Sequence, residues 1–76
     1  MEELLAWIAR GLVEEPDAVR VERVDEADAV VLRLFVAPDD VGKVIGRQGR
    51  VARALRILVR SAGARGDRRL VLEIQS

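Results

Sequence analysis

The residues best equipped for chemistry lie in one stretch, Lys43-Val44-Ile45-Gly46-Arg47-Gln48-Gly49-Arg50, with Arg53 one helical turn further on. What they offer is binding rather than bond-making. Two glycines three apart let the backbone turn sharply and remove the side chains that would hold a ligand off the main chain. Arg47 and Gln48 project outward between them, and Lys43, Arg50 and Arg53 add positive charge on either side. Backbone amides with cations beside them suit an extended anion, and nucleic-acid phosphates are the obvious candidate. Catalysis is poorly supplied. The 76 residues include no histidine, cysteine or tyrosine, and the side-chain hydroxyls are confined to Ser61 and Ser76. No base adjoins either serine, as a nucleophile would require. The carboxylates fall in surface-like runs, and Asp39 and Asp40 read as helix-start residues rather than a metal pair. A binding protein is expected, with no enzyme activity, metal or cofactor.

The elements that must position the loop follow from periodicity. Pro38-Asp39-Asp40 reads as a helix start, with proline and carboxylates where a first turn tolerates them. Val41 to Ile45 is then a short helix and Val51 to Ala62 a longer one. In the longer helix Val51, Ala52, Leu55, Leu58 and Val59 cluster on one side, and Arg50, Arg53, Arg56 and Arg60 opposite. Its N-terminus points unpaired N–H groups at whatever approaches the loop. Residues 2–13 read as a first amphipathic helix, with Leu4, Leu5, Ile8 and Leu12 on one face and Pro16 as its stop. Trp7 lies off that face and is read as capping the core edge, with an interface position as the alternative. Val19 to Val24 and Ala29 to Val36 read as strands, the second with Val30, Leu32, Leu34 and Val36 on one face. Residues 62–67 end the long helix and turn. Arg69 to Ile74 alternates again, with Leu70, Leu72 and Ile74 inward.

One domain, residues 1–76, is expected from the length. Formal net charge is zero, but its distribution is lopsided. Residues 1–40 carry eleven acids against four arginines, and residues 41–76 nine basic residues against two acids. Such asymmetry creates a local positive field on a neutral molecule. The acidic start does not resemble a signal peptide, and no apolar run approaches a membrane span, so a soluble cytoplasmic protein is expected. The letters Asp25-Glu26-Ala27-Asp28 also spell a helicase signature, but no phosphate-binding Walker loop accompanies them.

The order helix, strand, strand, helix, Gly-x-x-Gly, helix, strand resembles the type II KH domain over the whole chain, and Val44-Ile45-Gly46-x-x-Gly49 resembles that family's loop, which clamps about four nucleotides. A chain consisting of one such domain is similar to the small stand-alone bacterial KH RNA-binding proteins, the KhpA family. Residues 41–50 carry that resemblance, as does the break at Glu15-Pro16-Asp17. The basic set departs from it in being arginine-heavy, which preserves charge and adds planar bidentate contacts. The resemblance implies an α+β fold, three helices on one face of a three-stranded mixed sheet, and a grip on single-stranded RNA, as an RNA chaperone or post-transcriptional regulator. It also implies a homodimer, or a heterodimer with a larger KH-containing RNA-binding protein, for which Trp7 and Ile57 are candidate contact residues.

On this reading Lys43, Gly46, Arg47, Gln48, Gly49, Arg50 and Arg53 hold the sugar-phosphate backbone, and Val44 or Ile45 floors an apolar groove for bases or packs in the core. Arg56 and Arg60 are read as a solvated face. With Trp7 and Phe35 the only aromatics, stacking is nearly unavailable, so modest affinity and little sequence selectivity are expected. Two rivals place the same residues differently: a helix-hairpin-helix DNA binder, and a KH-fold protein-interaction module that has lost nucleic acid.

Overall fold

The computed structural model describes residues 1–63 and 68–75. The expected turn at residues 62–67 therefore falls mostly outside the described residues. Helix α1 spans Glu2–Leu12, with Glu2 and Glu3 in its first turn and Arg10 in its last, each complementing the helix dipole. After a single 3-10 turn at Pro16–Ala18 come β1 (Arg20–Asp25) and β2 (Ala29–Phe35). A second 3-10 turn, Pro38–Asp40, leads into α2 (Val41–Ile45), and a third, Arg47–Gly49, into α3 (Arg50–Gly63) and then β3 (Arg69–Gln75). The element order is the one the resemblance implies.

Strand β2 is central. It pairs antiparallel with β1, from Arg20 opposite Phe35 to Asp25 opposite Val30, and parallel with β3, from Ala29 beside Arg69 to Phe35 beside Gln75. Parallel neighbours need a crossover, and α2 and α3 supply it. This sheet removes the helix-hairpin-helix rival, which has two helices and a turn but no strands.

Side chains alternate between faces, so the register says what each face holds. Val30, Leu32 and Leu34 share a face with Leu70, Leu72 and Ile74. They pack against Leu5, Ala6 and Ala9 of α1, Val44 of α2, and Leu55 and Val59 of α3. The opposite face is polar at its margins. The Arg20 guanidinium sits 4.4 Å from the centroid of the Phe35 ring, and Arg33 Nε donates to Glu73 Oε1 at 3.2 Å. Val24, Val31 and Val71 form the next row along, beyond Arg33 and Glu73.

The buried face of α1 is not the expected one. Leu5 and Ala9 are fully buried and Ala6 nearly so, whereas Leu4 is 46%, Leu12 38% and Trp7 70% exposed. Trp7 therefore does not cap the core edge. The alanines explain the rotation: small side chains let α1 approach the sheet closely, and the bulkier Leu4 and Trp7 turn outward. Asp40 stands at the start of α2, as read from the sequence, but its carboxylate is 2% exposed and turns away from its own helix. Its two carboxylate oxygens accept the backbone N–H groups of Glu14, at 3.3 Å, and Glu15, at 3.0 Å.

Candidate nucleic-acid interface

Helix α2 is ended by Gly46, whose N–H donates to Gly42 O at 2.9 Å while its own backbone leaves helical geometry at φ 78°, ψ 171°. The chain then makes one tight turn. Gly49 N–H donates to Gly46 O at 3.1 Å, and Arg50 N–H donates to Arg47 O as α3 begins. Within the turn Gln48 takes left-handed geometry (φ 57°, ψ 24°) and Gly49 does too, at φ 75°. The sequence placed the glycines correctly but gave no sign that Gln48 shares their backbone region.

This pattern uses the amides of Gly46, Gly49 and Arg50 internally. The amides of Arg47 and Gln48 have no acceptor among the described residues. Both residues are exposed, and Gly46 and Gly49 are half-buried. Two free N–H groups on a bare turn, next to the N-terminus of a 14-residue helix, favour an anionic oxygen.

The cations are arranged unevenly around this turn. Arg47, Arg50 and Arg53 are exposed and form no ion pair among the described residues. Arg50 Nη2 donates to Gln48 Oε1 at 3.4 Å, which spans the turn with an uncharged contact. Lys43 is already engaged: its Nζ lies 3.6 Å from Asp40 Oδ1 and 3.9 Å from Glu14 Oε1. It faces the exit of α1 more than the loop. Arg56 and Arg60 are exposed on α3, as a solvated face would be.

Val44 is 0% exposed and part of the core, the alternative that the sequence left open for one of the two apolar residues. Ile45 is half-buried, and Val41, four residues earlier and on the same side of α2, is too. Sequence reasoning missed the anchoring role of Asp40, which nothing in the local pattern separates from Asp39. Among the described residues no cluster of histidine, cysteine, aspartate or glutamate could hold a metal. No described helix is long and apolar enough to cross a membrane.

Helices on one face of a mixed three-stranded sheet, with a Gly-x-x-Gly turn joining two of them, define an α+β KH domain in the type II order. The chain belongs to the KhpA/KhpB KH-domain family, whose sequence model matches residues 2–74. It is 46% identical to RNA-binding protein KhpA of Caldanaerobacter subterraneus subsp. tengcongensis over 74 residues, covering 97% of this chain and 99% of that one. RNA-binding protein KhpA of Halalkalibacterium halodurans is 47% identical, with 97% of each chain covered. RNA-binding protein KhpA of Treponema pallidum is 48% identical over 73 residues, with 96% of this chain and 91% of that one covered. No solved structure matches the chain significantly.

Proposed function

We propose that this chain is a non-catalytic RNA-binding protein that grips the backbone of single-stranded RNA across the Gly46–Gly49 turn, as an RNA chaperone or post-transcriptional regulator. One observation carries the reading. The exposed turn holds two N–H groups, at Arg47 and Gln48, without acceptors among the described residues, beside three arginines that no described acid neutralises. The names of the relatives support RNA as the ligand. Phosphates meet the Arg47 and Gln48 amides and the start of α3, Arg47, Arg50 and Arg53 supply charge, and bases lie toward Ile45. Lys43 takes a smaller part because Asp40 and Glu14 hold it. The pairing of KhpA and KhpB in the family's description supports a further reading, in which the chain associates with itself or with a larger KH-containing RNA-binding protein.

Titration of labelled single-stranded RNA, duplex RNA and duplex DNA at several salt concentrations tests this. Single-stranded RNA binds most tightly, and the slope of log K against log salt is about −2 if about three phosphates are neutralised. Preference for either duplex, or binding indifferent to salt, overturns the proposal.

A further inference from the structure

Helix α3 carries more positive charge than its own stability accounts for. At about 100° per residue, Arg50, Arg53, Arg56 and Arg60 fall within an arc of about 120°, with Ile57 among them. All five are exposed, and none of the arginines forms an ion pair among the described residues. From Val41 to Gly66 the sequence holds no acid. The face runs roughly 15 Å along the helix from Arg50 to Arg60. Ala54 and Ser61 beside it are exposed and too small to obstruct it.

Such a face works against the helix. Arg50 and Arg53 are three residues apart, as are Arg53 and Arg56, and Arg56 and Arg60 are four apart. Like charges at those spacings repel. Arg50 and Arg53 also stand in the first turn, at the positive end of the helix dipole, and no acid offsets them there. A helix face that serves only to meet water interleaves the two signs. An unbroken run of one sign, continuous with a turn that offers free amides, fits a polyanion.

We propose that the outward face of α3 is a second phosphate track, on which Arg56 and Arg60 hold the backbone of a single-stranded RNA where it continues past the Gly46–Gly49 turn. The proposal rests on the function proposed for that turn, which fixes where the strand enters. Arg50 and Arg53 belong to both segments, standing beside the turn and opening the track. Guanidinium groups suit the task because they take phosphate oxygens in pairs. Contacts to phosphate carry no sequence information, so the track lengthens the footprint without adding sequence preference.

Fluorescence anisotropy of the full chain with labelled oligouridines of about five and about twelve nucleotides tests this, the shorter being close to the footprint of the turn. In the wild type the longer strand shows the steeper dependence of log K on log salt. Arg56→Gln/Arg60→Gln lowers affinity for the longer strand at least about tenfold at low salt and flattens its slope by about 1.4, the value for two lost phosphate contacts, while the shorter strand binds as before. Circular dichroism and a melting curve show the variant folded and no less stable than the wild type, because two repelling pairs are gone. Equal salt slopes for the two strands, or a variant that keeps wild-type affinity for the longer one, overturns the track and leaves the role of the turn standing. A wild type that fails to bind the shorter strand contradicts the role of the turn, and the track with it. A variant that binds both strands normally but sediments differently from the wild type overturns the track and assigns the face to an acidic protein surface.

Discussion

A Cβ atom added to Gly46 would lie 2.5 Å from Cγ2 of Val51 and 2.9 Å from its backbone nitrogen. The loop glycine is thus folded back onto the first turn of α3 with no room for a side chain. Its φ of 78° with ψ of 171° is also a combination that only glycine adopts without strain. Gly49 has a positive φ but open space around it. Gly46→Ala therefore destabilises the protein by about 2–4 kcal/mol, from clash and strain together. Gly49→Ala costs about 1–2 kcal/mol, from strain alone. Urea denaturation of the two variants measures the order, and equal losses would contradict the packing described for the turn.

The Asp40 carboxylate ties the exit of α1 to the start of α2 through the Glu14 and Glu15 amides. Asp40→Ala leaves both amides without their acceptor and costs about 2–3 kcal/mol. Asp40→Asn, which keeps one acceptor oxygen, costs less. Hydrogen exchange at the Glu15 amide, slow in the wild type, accelerates in the alanine variant ahead of the amides of β2.

The shape of the Gly46–Gly49 turn was legible in the sequence because it is local: glycine spacing, outward Arg47 and Gln48, and the start of α3 all lie within a few residues. Strand alternation likewise marked β2 and β3. What stayed hidden depends on distant partners. Asp40 meets amides 25 and 26 residues away, and periodicity does not say that β2 sits between β1 and β3. The face of α1 was misjudged because the reading weighed large apolar residues, while Ala6 and Ala9 decide how close the helix comes to the sheet. Val44 and Ile45 are adjacent and chemically alike, and only packing separates the buried one from the half-buried one.

That rotation of α1 has its own test. Leu5 is 0% and Leu4 46% exposed. Leu5→Ala costs about 2–5 kcal/mol by opening a cavity, whereas Leu4→Ala costs under about 1 kcal/mol in the monomer. Thermal denaturation reads both, and similar losses would restore the face expected from the sequence, which held both leucines.

At the end of β1, the hydrogen bond from Arg23 chiefly, then the charges of Arg23 and Arg68, hold the Asp25 carboxyl below the usual carboxylate range. A group whose pKa falls on folding contributes stability above its unfolded pKa and loses it as pH drops through the folded value. The three side chains are solvent-exposed, so the effect is small. Wild type loses stability between neutral pH and pH about 3 more steeply than Asp25→Asn does, and the difference is measured by denaturation across that range.

The double substitution Arg47→Asp/Gln48→Asp addresses the central claim most directly. Both side chains are exposed, and aspartate tolerates the left-handed backbone at position 48 better than most residues. Affinity for single-stranded RNA, measured by fluorescence anisotropy alongside a melting curve, falls more than about tenfold while the melting temperature moves by only a few degrees. Unchanged affinity in a folded variant would contradict the account and leave the turn without a role in RNA binding.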